Sequence, residues 1–272
     1  MNDVMRHPTT FAIGVAAVVA LAVGAIGFSR VINQRAGELA SSRNDGLPLT
    51  CVQPPLGMVG WWPGDGNAND ISGDNYNGTI SGGVSFGPGE VDQAFTFNGT
   101  DGEVILPDSS SAPLLNFGPS DSFTVDAWLR PDAGVLGTQR VAVSLTYVCS
   151  AESIQLILLT DGRMDFSIRD SLDNDVEATT QSSILDGQWH HFAGVRDVSN
   201  HTVTLYFDGI PIASLPDTTT GTFTRPDGQN RIGSIPVACP TDRYFCNGQI
   251  DEVEVFRRAP GVRQPDDCGR AG

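Results

Sequence analysis

The chain has 272 residues, 40% hydrophobic and 18% charged, a globular composition with room for one large β domain or two small ones. Its formal net charge is −16, and all 16 basic residues are Arg, with no Lys. No basic patch is available to neutralise phosphates, which excludes a nucleic-acid partner. The acids are mostly Asp, scattered through Gly- and Asn-rich turns, where they serve turn chemistry and solubility or supply oxygens for a divalent cation.

Residues 1–28 form a separate element. Phe11 to Phe28 is an uncharged run of Ala, Val, Gly, Ile and Leu, preceded by Arg6 and followed by Arg30, Arg35 and Arg43. The run is at the lower limit for a membrane-spanning helix and longer than the usual apolar region of a signal peptide. Val23-Gly24-Ala25 and Ala25-Ile26-Gly27 each fit the small-residue pattern of a cleavage site. The segment therefore reads as a signal anchor, a helix that meets the membrane, or as a cleaved signal peptide. The arginines after it argue against a simple positive-inside orientation. Residues 29–50 are polar and read as a flexible tether.

From there the chain is short apolar runs separated by Gly, Asn, Asp and Pro, with no helical periodicity after residue 40. The predicted strands are Met58–Trp62, Gly78–Ile80, Ala94–Phe97, Glu103–Leu106, Phe123–Arg130, Val141–Thr146 and Ile154–Leu159. They continue with Met164–Ile168, Val176–Thr180, Trp189–Val195, Val203–Phe207, Pro211–Ala213, Arg231–Ile235 and Ile250–Phe256. Asp161-Gly162 and Asp208-Gly209 each separate two apolar runs and predict hairpin turns. Alternation assigns faces: residues 203, 205 and 207 point to the core, as do 123, 125, 127 and 129. Trp128 then shares the opposite face with Asp126. It can line that face or pack under a loop, and the usual burial of Trp favours packing.

Three segments carry a family likeness. They are Gly60-Trp61-Trp62-Pro63-Gly64-Asp65-Gly66-Asn67-Ala68-Asn69-Asp70, then Gln188-Trp189-His190-His191-Phe192-Ala193-Gly194-Val195-Arg196, then Asn247 to Arg258 with its Ile250-Asp251-Glu252-Val253-Glu254-Val255 core. In this order they resemble the start, middle and end of a laminin-G-like jelly roll of the concanavalin A-like lectin/glucanase superfamily. The resemblance covers roughly 51–268 and leaves 269–272 as a tail. It implies an all-β sandwich of two antiparallel sheets in which the first and last strands are neighbours. The fold hosts sugar binders, protein binders and hydrolases, so it does not fix function. The reading adopted is an exported, membrane-tethered or secreted binding module without catalysis, its partner a glycan at the cell surface or in the matrix. A protein-binding adhesion module and a glycoside hydrolase or lyase are the alternatives.

The five cysteines are Cys51, Cys149, Cys239, Cys246 and Cys268, and none forms a Cys-x-x-Cys pair. Zinc and thioredoxin chemistry are thereby disfavoured, while export favours disulfides. The resemblance, by placing the chain ends side by side, implies a Cys51–Cys268 clamp. Cys239 and Cys246 flank six residues and would close a small loop, leaving Cys149 odd. Cys149 bonded to Cys239 or Cys246 is the other arrangement.

Retaining glycosidases of the superfamily place two glutamates around an aspartate as Glu-x-Asp-x-x-Glu, with carboxyls about 5 Å apart. Asp251-Glu252-Val253-Glu254 departs from that pattern, and Glu252 and Glu254 are expected to share a face without catalysing. His190 and His191 are adjacent on a strand and face opposite ways, which makes a shared metal awkward. Calcium, in a structural role, is the preferred cofactor. Asp65 and Asp70 lie in one oxygen-rich turn, and the resemblance brings Asp251 to the same sheet edge. A second candidate is the loop 236–247, where Asp242, Arg243 and Tyr244 offer a carboxylate, a guanidinium and a ring to a sugar or peptide.

Overall fold

A computed structural model describes residues 54–132, 140–147, 152–224, 227–235 and 244–259. Fifteen strands are found among them: β1 (Met58–Trp62), β2 (Thr79–Ser81), β3 (Val84–Pro88), β4 (Gln93–Asn98), β5 (Glu103–Leu106), β6 (Phe123–Pro131), β7 (Arg140–Tyr147) and β8 (Ser153–Leu158). The remainder are β9 (Met164–Arg169), β10 (Asp175–Thr179), β11 (His190–Asp197), β12 (Thr202–Phe207), β13 (Ile210–Pro216), β14 (Gln229–Ile232) and β15 (Asn247–Phe256). They form two antiparallel sheets. The larger runs β13-β12-β11-β6-β15-β4-β3, and the smaller runs β10-β9-β8-β7-β14-β5-β2.

β15 organises the larger sheet. One edge pairs with β6; the other pairs first with β4 and then with β1. Trp61 lies opposite Glu254, and Trp62 opposite Val253. The expected neighbourhood of first and last strands is thus realised. β3 is the strand that the sequence reading missed. Its Val84 and Phe86 alternate with Ser85 and Gly87, but flanking glycines and Pro88 hide the signal. Pro88 is tolerated because β3 is an edge strand.

Alternation builds the core as expected. Phe123, Val125, Ala127 and Leu129 of β6, Val203 and Leu205 of β12, and Ile250, Val253 and Val255 of β15 are buried in one cluster with Trp62, Phe95, Phe166 and Phe192. A Cβ on Gly194 of β11 would come within 2.0 Å of the Phe166 ring of β9, so glycine there lets the two sheets close on each other. The Asp208-Gly209 turn has φ of 47° and 76°, the pair of left-handed residues a tight hairpin requires.

Two buried polar centres pin the connecting loops. Arg196 donates from Nε to Asp217 at 2.8 Å and to Thr219 at 3.1 Å, and from Nη1 to the carbonyl of Asp121 at 2.8 Å. Asp170 accepts from the backbone N–H groups of Leu172, Asn174, Thr220 and Gly221 at 2.6–3.0 Å. Burial pulls its pKa up, but these bonds and the Asn174 side chain outweigh that and bring it to about 2.

Candidate functional site: the outer face of the larger sheet

The residues that alternate with the core in β6, β11, β12 and β15 form the solvent side of the larger sheet. Cross-strand register aligns them in rows. One row runs Ser85, Thr96, Gln249, Arg130 across β3, β4, β15 and β6. The next holds Asp251, Trp128 and His191. A third runs Trp61, Glu254, Asp126, Ala193 and Tyr206 across β1, β15, β6, β11 and β12. Trp61, Trp128 and Tyr206 are half-buried, each leaving part of its ring to solvent.

Neighbours hold these rings in place. Trp128 meets the His191 ring edge-on, with centroids 5.3 Å apart and planes at 64°. The Trp61 indole N–H donates to Glu252 Oε2 at 2.5 Å. The Arg130 guanidinium lies 5.2 Å from the centre of the Trp189 ring and donates to Gln249 Oε1. Gln249 Nε2 in turn donates to Thr96 Oγ1 at 3.0 Å and to the Pro88 carbonyl at 3.2 Å. Beside this chain of bonds a groove of about 390 Å³ opens, lined by Ser85, Thr96, Arg130, Asp132 and Gln249 among others. Trp128 therefore lines the open face, against the expectation that it packs under a loop. Alternation had already put it there.

β15 does not alternate throughout. A bulge lies between Asp251 and Glu254, and Glu252 sits in it with φ of 48°. Asp251 and Glu254 take the outer positions, and Glu252, displaced by the bulge, reaches the Trp61 indole beside Glu254 on that same face.

The three candidate calcium ligands do not converge. Asp70 is buried and fully used by its own loop: Oδ1 accepts from Trp61 N at 2.9 Å and Ser72 N at 2.8 Å, and Oδ2 from Tyr76 N at 2.8 Å. Asp65 and Asp251 do meet one turn, between β3 and β4. Asp65 accepts from Gln93 N at 3.0 Å, and Asp251 Oδ2 from Val91 N at 2.9 Å. Among the described residues no three His, Cys, Asp or Glu side chains gather where they could hold a metal ion. This set does not fit a shared calcium, because both Asp70 oxygens are taken by N–H groups of its own loop and no third such side chain joins Asp65 and Asp251. Asp251 is completely buried, with Oδ1 lacking a hydrogen-bond partner. Burial raises its pKa to about 7, with the Glu252 charge adding to the rise and the Val91 N–H opposing it.

Of the second candidate loop, Asp242 and Arg243 lie outside the described residues. Tyr244 packs against a small cluster of Val141, Ile157 and Ile235 on the outer side of the smaller sheet, and its carbonyl accepts from Val141 N at 3.0 Å. Cys51, Cys149, Cys239 and Cys268 also lie outside, and with them both expected disulfides. Cys246 is buried and free in the structure, and burial pushes its thiol up to about 12. The 1–28 segment is likewise outside; among the described residues no helix is long and apolar enough to cross a membrane.

His190 and His191 face opposite ways, as expected of adjacent strand residues. His191 belongs to the outer face. His190 stacks on Phe207, with Nδ1 2.9 Å from Asp208 Oδ2 and Nε2 3.1 Å from Asp186 Oδ2. The sequence reading did not find Arg130, Trp189, Tyr206 or Gln249. The β6 and β12 alternation placed Arg130 and Tyr206 outward, but the partnership of Arg130 with Gln249 spans 119 residues and leaves no local trace.

The family model described as the concanavalin A-like lectin/glucanases superfamily, laminin G type, matches residues 98–264. No curated protein matches the chain in sequence. Solved structures share the fold. Domain 4 of AbnA, an extracellular arabinanase from Geobacillus stearothermophilus seen with arabinotriose, matches with TM-score 0.59 and 21% identity over 75% of this chain and 94% of that one. The binding domain of Paraclostridial Mosquitocidal Protein 1 gives TM-score 0.60 and 17% identity over 75% of this chain and 50% of that one. The Botulinum Neurotoxin serotype G binding domain gives 0.58 and 15% over 75% and 48%. The chain spans about half the length of these two toxin domains.

Proposed function

Since the chain belongs to the laminin-G-like branch of the concanavalin A-like lectin/glucanase superfamily, we propose that it is a non-catalytic carbohydrate-binding module whose glycan lies on the outer face of the larger sheet. One observation carries this reading: the rows that place Trp61, Trp128 and Tyr206 beside Asp126, Glu254, Arg130 and Gln249. Sugar rings present C–H faces to aromatic rings and hydroxyls to carboxylates and amides, and that face offers both. The arabinanase domain seen with a bound arabinose oligomer supports a sugar over a protein partner.

The absence of catalysis is part of the proposal. A glycosidase acid needs a raised pKa and access to the glycosidic oxygen. Asp251 has the raised pKa but is completely buried beneath the face. Glu252 is committed to Trp61. Location is proposed on the sequence alone: the apolar run 11–28 carries the chain to the membrane, and the domain stands on the extracytoplasmic side. Protease added to intact cells should then digest the domain. The function itself is tested by native affinity electrophoresis of the full chain through gels containing plant, microbial and animal polysaccharides. Wild type should be retarded by at least one, and Trp128→Ala should migrate freely in the same gel. Equal retardation of the two would reject this face, and release of reducing sugar that stops in Glu254→Gln would reject the non-catalytic reading.

A further inference from the structure

The groove at the Arg130 end of this face carries a ligand preference of its own. Most arginines of the described residues are neutralised internally. Arg163 faces Asp161, Arg169 faces Asp173, Arg196 faces Asp217, Arg231 faces Glu103 and Arg257 faces Asp121. Arg130 forms no ion pair among the described residues, although the chain has a formal net charge of −16. Its one hydrogen bond is to Gln249, and one ring, Trp189, lies under its face.

That surrounding also fixes it. The Gln249 amide is nine-tenths buried and used at both ends, so it cannot rotate away from Arg130. A guanidinium has five N–H donors in one plane, and Gln249 engages one edge of it. The remaining donors border a groove that the backbone keeps open. A Cβ on Gly87 would come within 3.0 Å of Gln249 Nε2 and 3.2 Å of Thr96 Oγ1, closing the floor over the amide. An immobilised guanidinium beside an open groove suits a planar anion bound through two parallel N–H···O bonds. Asp132 lines the same groove. Its carboxylate repels a bare anion such as phosphate or sulfate but accepts hydroxyl donors. A sugar that carries a carboxylate satisfies both groups.

We propose that this groove binds the carboxylate of an acidic sugar residue, a uronic or sialic acid within a glycan, through the fixed Arg130 guanidinium. The inference rests on the carbohydrate-binding reading of the face and names its ligand class. Asp132, Thr96 and Ser85 then take the sugar hydroxyls.

The test compares polygalacturonate with the same polymer after chemical reduction of its carboxyls, in affinity gels with the full chain. Titration calorimetry with trigalacturonate and with sialyllactose then separates the two sources of the carboxylate. Wild type should bind one of the acidic ligands and bind the reduced polymer at least about tenfold more weakly, the worth of a charged hydrogen bond. Arg130→Met should lose about tenfold or more. Arg130→Lys should fail to restore binding, because a point charge lacks the fork. Arg169→Met, which removes an equal charge from the smaller sheet, should bind as wild type. Equal binding of acidic and reduced polymer by a chain that does not bind sialyllactose either, or an Arg130→Met chain that binds as wild type, overturns the inference. If wild type binds only neutral glycans, the ligand class alone falls; if it binds no glycan at all, the carbohydrate-binding reading falls with it.

Discussion

The outer faces of the two sheets are made of the same strand alternation and differ in how their side chains are engaged. On the smaller sheet several outward residues bond to one another. Gln155 donates to Ser144 at 3.3 Å, Thr179 to Asp165 at 2.6 Å, and Ser234 to Glu103 at 2.7 Å, while Arg231 stands 3.5 Å from Glu103. Most of these side chains are buried, and Val141, Ile157, Ile235 and Tyr244 form a separate apolar cluster. On the larger sheet the outward residues are braced but not consumed. Trp61, Trp128 and Tyr206 keep part of each ring in solvent, and Arg130 keeps donors over a groove. A face whose polar groups are paired internally contributes to folding. On the proposed reading, a face whose rings and guanidinium are held in place but partly exposed would bind a ligand at a lower ordering cost.

The sharpest way to break this contrast is to substitute one residue on each face. Glu103→Ala on the smaller sheet leaves Arg231 buried and without its carboxylate. Loss of one partner of a buried pair costs about 3–5 kcal/mol, so the denaturant midpoint should drop strongly. Trp128→Ala on the larger sheet should abolish retardation by the glycan and cost about 1–2 kcal/mol, since only part of the ring is buried. A chain in which Trp128→Ala unfolds as readily as Glu103→Ala would show both faces to be structural.

How much of this was legible varies with the range of the interaction. Fourteen of the strands declare themselves as short apolar runs bounded by turn residues, some by period-two alternation, and the Asp-Gly turns by composition. β3 escaped because Gly87 and Pro88 read as a loop, although Val84 and Phe86 hold the alternation. The outward placing of Trp128 was legible; its exposure was not, because burial of a ring depends on what packs over it. The bulge at Glu252 breaks a strand whose sequence looks regular, and only the register against β6 exposes it. Asp70 looked like a metal ligand because its turn is rich in oxygens, yet the N–H groups of that turn claim it. Asp65 and Asp251 each accept from a backbone N–H of the segment joining β3 to β4.

Each face also hides one carboxyl with a raised pKa, and they differ in reach. Burial lifts Asp165, on the smaller sheet, to about 6, with Thr179 opposing, and lifts Asp251, on the larger sheet, to about 7. A carboxyl whose folded pKa exceeds its unfolded value binds its proton more tightly in the native state. Stability therefore falls as pH rises from about 4 through the folded value, then levels. Asp165→Asn should flatten the decline between about pH 4 and 6. Asp251→Asn should remove the part that extends to about pH 7, each on the order of 1–3 kcal/mol. Urea midpoints across pH 4–8 that fall equally in wild type and both variants would show that neither proton is held by the fold.

The smallest effect belongs to His190, at the start of β11. Both ring nitrogens point at carboxylates, Nδ1 at Asp208 and Nε2 at Asp186, and a neutral imidazole has only one N–H to give. The geometry thus favours the imidazolium. Partial burial pulls its pKa down, but the bonds and charges of Asp208 and Asp186 outweigh that and raise it above 6.5. The sign follows from linkage: the contribution is complete below the unfolded pKa and is lost as pH rises through the folded one. Both carboxylates are well exposed, so solvent limits the contribution to under about 1 kcal/mol. The latch joins the segment that ends at Trp189 to the Asp208-Gly209 turn, and Trp189 supports Arg130. His190→Gln should lower the melting temperature slightly at pH 5.5 and not at pH 8.5. It should weaken binding of an acidic glycan at pH 5.5 toward the wild-type value at pH 8.5. A melting difference of equal size at both pH values would mean that the ring acts by stacking on Phe207 and not by its charge.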